Sequence, residues 1–397
     1  MKKVIYLSFY FEPDLCAGSF RNSSLAKTLA SQGLKDNIKI ELYTTFPNRY
    51  NSYLTETQSF QKIENLEIHR IKTPSHNSGI LDQIRSFTQF YVQVRKKTKS
   101  VKPDLVFASS SRLFTAYLGY KIAKKNNALL YLDIRDIFVD TISDLYKNSI
   151  LRLPLILFLK RIERSVFEYA KHINLISPGF KNYFTRYKKS KITYYTNGID
   201  EAFLNRRLNQ SETKRFKKSK NVLRIIYAGN IGEGQGLHHI IPQAAKALGP
   251  SYEFNIYGDG GAKIKLVDRL QEFGNLPNIK IFNPVSREEL YNIYEQADYL
   301  FIHLNDIPAF EKVLPSKVFE LATFPKPIIA GVEGYAREFI ESEVSDSIVF
   351  TPCCANEFVD KLKKTNFNTS INRNSFIQKF QRSNINQELS RSILNYL

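Results

Sequence analysis

Short apolar runs recur along the chain at intervals filled by amphipathic stretches. Residues 3–8 (KVIYLS), 38–44, 67–71, 104–108 and 129–133 (LLYLD) are compact apolar segments, each long enough for one strand buried on both faces. Between them, 22–31 places Leu25, Leu29 and Ala30 on one helical face, and 80–99 and 112–125 read as further helices. Alternation of this kind predicts a doubly wound α/β unit with a mostly parallel sheet. The run 173–177 reads as a strand, 178–187 as a helix and 193–199 as a strand then a turn. A second series opens with strand 223–227 and helix 237–248, followed by strand 253–257, helix 263–273, strand 279–282, helix 287–296 and strand 299–303. Pro315 and Ser316 then supply stop-and-cap chemistry for a helix. Strands 328–331 and 348–350 and helices 355–365 and 375–396 complete the pattern.

The two series are separated by Arg206–Lys220, with 7 basic residues, 1 acidic residue and little apolar content. This predicts a first domain over 1–205, a basic linker over 206–221 and a second domain over 222–375. Charge divides the same way. Residues 1–220 hold 39 Lys+Arg against 18 Asp+Glu, whereas 221–397 hold 18 against 20. Such asymmetry implies an anionic partner for the first domain, either nucleic acid or an acidic membrane surface. The stretch 151–170 (LRLPLILFLKRIERSVFEYA) fits two readings: a core helix with a basic outer face, or a helix lying in the membrane interface. The three cysteines, two of them adjacent, give no disulfide framework and no metal-ligand spacing. The start shows no signal-peptide pattern, and no run reaches the roughly 18–20 apolar residues that span a bilayer. The expectation is a cytoplasmic protein.

Candidate chemistry concentrates past the ends of strands. Lys317 and Glu320, three apart in one helical turn, present a cation and a carboxylate together, a pair suited to a phosphate and a sugar hydroxyl. The segment Gly229-Asn230-Ile231-Gly232-Glu233-Gly234-Gln235-Gly236 lies between a strand and a helix, where glycines let backbone approach an anion. Gly258-Asp259-Gly260-Gly261 follows the next strand. Arg135 and Asp136 follow strand 129–133, where such folds bind ligands, as a structural pair or a functional one. The first loop carries Gly18 but no GxGxxG, which disfavours a nicotinamide cofactor.

In order and spacing, GNIGEGQG, GDGG, NPVSREEL and PSKVFELA with KPIIAG resemble the family-4 retaining glycosyltransferases. YTNGID at 195–200 resembles that family's segment before the interdomain linker. Bacterial enzymes building O-antigen or capsule, some transferring N-acetyl-fucosamine-type sugars, are the nearest in pattern. The resemblance implies GT-B architecture: two Rossmann-like domains facing an interdomain cleft, donor on the second and acceptor on the first, with the last helix, 376–397, crossing back to the first. Glu320 would hold the ribose hydroxyls. Lys317 and the amides around Gly232, Gly234, Gln235 and Gly236 would face the diphosphate. Gly258 and Gly260 would admit the nucleotide, and the Val285 backbone would read the base edge. Gly18 would lie opposite the diphosphate and Asp136 near the acceptor and transferred sugar. The sequence departs from the family where two glutamates stand eight apart: position 312 is Lys, and Glu311 would substitute from nine before Glu320. It also has Asn230 and Gln235 where an Arg and a Lys are usual. Lys326 and Arg287 read as solvated.

The function so implied is retaining transfer of a hexosyl unit from a nucleotide diphosphate sugar, UDP-linked, to a polyprenyl-diphosphate-linked or other glycan acceptor. No metal and no cofactor beyond the donor are expected, and the basic first domain would hold the protein peripherally on the inner face of the cytoplasmic membrane. Rival readings are a nucleotide-sugar epimerase or hydrolase of the same architecture, and a weakly catalytic scaffold. Nucleic-acid binding is disfavoured because the basic half carries no recognition motif.

Overall fold

The structure, a computed structural model, describes residues 1–48, 56–74, 80–110, 112–145, 152–208, 222–366 and 371–397. It forms two compact units, Met1–Asn197 with Arg382–Leu397, and Gly198–Gln381. The linker expected at 206–221 lies, from 209 onward, outside the described residues.

The first unit is built on β1 (Lys2–Ser8), β2 (Ile38–Thr45), β3 (Phe60–Ile63), β4 (Leu66–Ile71), β5 (Leu105–Ser110), β6 (Leu129–Ile134), β7 (His172–Leu175) and β8 (Lys191–Thr193). Their order is β3-β4-β2-β1-β5-β6-β7-β8, with every pair parallel except β3–β4. Val4 to Leu7 of β1 are wholly buried, as a central strand covered on both faces requires. β3 escaped the sequence reading because FQKI has no apolar run; it is a short, exposed edge strand. Helix Ala17–Gly33 buries Leu25 and Leu29 in the same core as Leu389 and Ile393 of helix Arg382–Leu394. The chain's closing helix is therefore a structural part of the first unit. The single helix expected over 375–396 is instead two, Asn374–Lys379 and Arg382–Leu394. The break has a backbone cause: Ile199 N–H donates to Phe380 O at 2.6 Å, and Ile199 bridges Gln381 in strand fashion.

The second unit carries β9 (Leu223–Asn230), β10 (Tyr252–Asp259), β11 (Ile279–Phe282), β12 (Tyr299–His303), β13 (Ile328–Gly331) and β14 (Ser347–Phe350). They form one parallel sheet in the order β11-β10-β9-β12-β13-β14. From β9 the chain winds outward to β10 and β11, then returns to the other side of β9 at β12. The reversal opens a crevice at the carboxyl ends of β9 and β12, and in the first sheet the same reversal falls at β1 and β5. Helix Glu201–Leu208 belongs to this unit, because Phe203 is buried against Tyr291 and Phe324. The division thus falls at Asn197, ahead of the expected residue 205. Helices Phe138–Leu145 and Tyr335–Glu343 are further elements without a sequence-based expectation.

Helix Arg152–Tyr169 is in the core along one side and exposes apolar side chains near its start. Ile156, Leu159, Val166 and Phe167 are buried, whereas Leu153, Leu157 and Phe158 near its start are 68%, 60% and 58% exposed. Among the described residues no helix is long and apolar enough to cross a membrane.

Candidate functional site

The crevice of the second sheet gathers its candidates. Lys317 begins the five-residue helix Lys317–Leu321, and its Nζ donates to Glu320 Oε2 at 2.8 Å. The same ammonium lies 3.5 Å from Tyr294 Oη, on a tyrosine that is fully buried. Burial opposes the charge on Lys317, but Glu320 and then Tyr294 outweigh it and hold the amine above the usual lysine range. Burial also pushes the Tyr294 phenol up to about 12. Lys317 is thus a permanent cation, not a base. About a third of its side chain (32%) stays exposed, whereas only 9% of the Glu320 side chain does, so the pair presents its positive member to a ligand. Ser316 does not act as the expected cap: it is in helical conformation and accepts no side-chain hydrogen bond. A helix this short adds little dipole, so the charge itself must do the electrostatic work.

The lysine stem runs past Gly229 at the end of β9, where an added Cβ would lie 3.6 Å from Lys317 Cε. Beyond it the glycine loop leads into helix Leu237–Leu248, with Gly236 at its cap in left-handed conformation (φ +57°). Much of this loop's hydrogen bonding is internal. Gly232 N–H donates to Gln235 Oε1 at 3.3 Å, and the Gln235 and Gly236 amides donate to Gly232 O. Those three amides, expected to face a diphosphate, are therefore spent on the turn. Phe310 packs against Gly234 and Asn305 against Gly236. Asn305 also donates through its amide N–H to Gly234 O (2.9 Å) and through Nδ2 to Glu233 O (2.8 Å). Gly258 and Gly260 have a role that the sequence did not suggest. A side chain at either would collide with the carbonyls of Gly229 or Ile231, so their smallness lets two loops of protein meet.

His303, at the end of β12, pins this arrangement. Its Nδ1 donates to Gln235 O at 2.6 Å, and its Nε2 accepts from Cys353 N–H at 3.0 Å. The carbonyl fixes the proton on Nδ1, and burial pulls the ring down to about 4, so it is neutral.

Three other candidates stand apart. Glu311 lies in the turn Pro308–Lys312, exposed, with its backbone against Gly334 and no ion-pair partner among the described residues. Val285 is half-buried on the second core. Arg287, expected to be solvated, instead pairs with Asp200 at 2.8 Å beneath the Phe203 ring, tying the NGID segment to helix Arg287–Gln296.

In the first unit, Gly18 and Arg135 are in contact: a Cβ at Gly18 would strike the guanidinium. Asp136 is half-buried and accepts from Thr141 Oγ1 at 3.3 Å. Burial pushes its carboxyl up to about 6, against the Thr141 and Ile137 hydrogen bonds, so it exchanges protons near neutrality. Beneath them Arg21 and Asp133 form a wholly buried bidentate pair at 3.0 and 2.9 Å. Burial alone would raise Asp133, but Arg21 and then Asn174 hold it below the usual carboxylate range. Tyr294, Asn305 and the Arg21–Asp133 pair were missed from sequence, since each acts through a partner far along the chain.

Residues 209–381 match the family described as Glycosyl transferases group 1. WcaI of Escherichia coli (strain K12), a protein named for colanic acid biosynthesis and glycosyl transfer, is 25% identical over 255 residues; the alignment spans 59% of this chain and 59% of that relative. Among solved structures, sucrose-phosphate synthase from Thermosynechococcus elongatus superposes with a TM-score of 0.72 at 12% identity, covering 100% of this chain and 99% of that one. Anabaena HepE, in complex with UDP and glucose, gives 0.65 at 15%, and the lipopolysaccharide outer core galactosyltransferase WaaB 0.62 at 14%, each covering 100% of both chains. The chain therefore has the GT-B fold, and the stretch that resembles the group 1 glycosyl transferases falls mostly on its second unit.

Proposed function

We propose that this protein is a retaining glycosyltransferase that moves a hexosyl unit from a UDP-sugar to a lipid-linked glycan in bacterial surface polysaccharide synthesis. The observation that carries the reading is the Lys317–Glu320 pair, set with the cation outward at the crevice of the unit that resembles the group 1 glycosyl transferases. Lys317 stabilises the diphosphate as it leaves, and Glu320 receives the ribose hydroxyls. Asp136, on the first unit, serves the acceptor side, where a carboxyl titrating near 6 can share a proton. The donor's own phosphate oxygen takes the acceptor proton in a retaining transfer. HepE is described with UDP and glucose, which supports UDP as the first nucleotide to test; N-acetylated deoxyamino hexoses are the first sugars. The reaction is proposed to need no metal. The basic first unit rests on an anionic leaflet, with the acceptor's lipid in that leaflet.

The test is thermal stabilisation of the full chain by UDP, GDP, ADP and CMP in the presence of a chelator. A ligand at 100 times its Kd adds about 2.7 kcal/mol to the native state. A rise in melting temperature with UDP that disappears in Glu320→Ala supports the reading. No rise with any nucleotide would leave the fold without this function and bring the scaffold reading forward.

A further inference from the structure

Two adjacent cysteines back the arrangement that His303 pins, and the proposed transfer chemistry uses neither. Cys353 and Cys354 lie between β14 and helix Ala355–Lys364; both are free thiols and half-buried. Cys353 adopts the left-handed conformation (φ +61°), which residues other than glycine rarely take. In that conformation its N–H donates to His303 Nε2 at 3.0 Å and its Sγ–H to Asn305 Oδ1 at 3.4 Å. His303 in turn donates to Gln235 O, and Asn305 to Gly234 O and Glu233 O. Through both contacts Cys353 bears on the glycine loop, whose first residue, Gly229, flanks the Lys317 stem. Cys354 stands at the helix cap and accepts no capping hydrogen bond. Consecutive residues joined by a trans peptide have Cα atoms about 3.8 Å apart, closer than in an ordinary disulfide. A bond between their sulfurs closes a strained ring, and strain makes such a bond easily reduced, hence labile and not structural.

We propose that Cys353 and Cys354 form a reversible dithiol–disulfide site that controls the glycine loop. The reagent class is a small-molecule disulfide, and the reaction is two successive thiol–disulfide exchanges. The Cys354 thiolate attacks one sulfur of the reagent, forming a mixed disulfide and releasing one reagent thiolate, which takes up the proton that Cys354 lost. The Cys353 thiolate then displaces the second reagent thiolate in the same way and closes the Cys353–Cys354 bond. Two protein thiols are oxidised, and one reagent disulfide is reduced to two thiols. Cys354 reacts first because the Cys353 hydrogen is engaged with Asn305 and burial pushes the Cys353 thiol up. Once the ring is closed, Cys353 Sγ has no hydrogen to donate to Asn305. Closure also rotates the backbone that presents Cys353 N–H to His303, so both supports of the glycine loop weaken together. The inference rests on the glycosyl-transfer reading only in naming UDP as the ligand that senses the change.

The experiment equilibrates the full chain in glutathione redox buffers, alkylates the remaining thiols and measures intact and peptide masses. The wild type is expected to lose two hydrogens and to keep one alkylatable thiol, Cys16, of its three, with the bond mapped to the peptide that holds Cys353 and Cys354. In the oxidised protein the amides of 230–236 should exchange with deuterium faster, and UDP should bind about fivefold or more weakly. Dithiothreitol should reverse these changes, and Cys354→Ser should abolish them. By linkage, saturating UDP should lower the disulfide fraction at a fixed glutathione ratio. Three alkylatable thiols at every glutathione ratio overturn the proposal, as does a stable mixed disulfide with glutathione on one cysteine. A closed ring with unchanged exchange in 230–236 overturns it too, because the site would then control nothing. If UDP binds neither form, the glycosyl-transfer reading falls, and the alkylation and exchange results still decide this inference.

Discussion

Lys317 is useful because of where its neighbours leave it. Glu320 and Tyr294 keep it charged, and its exposed third remains free to meet an incoming anion. Lys317→Ala is therefore expected to lower kcat about 10²–10³-fold through lost leaving-group stabilisation. Near-normal turnover at saturating donor would remove the role. The substitution also strands a buried carboxylate, so a lower melting temperature should accompany the kinetic loss. At this scale the sequence supplied the pair, because i and i+3 must share a helical face. It could not supply Tyr294, or show that Gly258 and Gly260 serve loop packing. Those contacts depend on which strands lie side by side.

At the scale of elements, histidines hold strand ends to their loops. His303 joins β12 to the glycine loop and to the turn at Cys353, and His172 on β7 stacks on Tyr131 at 4.1 Å with Nε2 2.9 Å from Thr193 Oγ1. Burial depresses both rings to about 4 from an ordinary value of 6.5. The native state thus binds fewer protons than the unfolded chain between these values. Their contribution is complete above pH 6.5 and is lost as pH falls toward 4, by about 3 kcal/mol for each ring. Urea unfolding at pH 7, 5.5 and 4.5 should show this fall, and His303→Gln should flatten part of it. A profile unchanged in that variant would mean that the ring is not neutral and buried as described. Element boundaries were legible where apolar runs were long. They failed at Phe380 and Gln381, where tertiary pairing with Ile199 overrides helix propensity.

On the scale of the whole molecule, charge and exposed apolar surface coincide in the first unit. In helix Arg152–Tyr169, Leu153, Leu157, Lys160 and Arg164 follow one another along a single stripe of the helix surface. The apolar members come first and the basic ones after, all exposed. That arrangement suits insertion of the helix start into a leaflet, with the cations at the headgroups, better than a helix lying flat with separate apolar and basic faces. Co-sedimentation with vesicles containing anionic phospholipid should therefore occur and should weaken with salt. Leu157→Asp with Phe158→Asp should reduce it several-fold without lowering the melting temperature, since neither side chain is in the core. Equal sedimentation of variant and wild type would place membrane contact elsewhere or nowhere.

The sequence by itself determined two α/β units, their basic and near-neutral characters, and the strand ends where chemistry gathers. These follow from local periodicity and composition, which neighbouring residues set between them. Tertiary structure alone decided that Glu201–Leu208 joins the second unit, that Arg287 pairs with Asp200, and that Arg135 turns to Gly18 while Asp133 is consumed by Arg21. Each is a contact between segments distant in sequence. Strand order and burial fix such contacts, and neither is encoded in the spacing of any one motif.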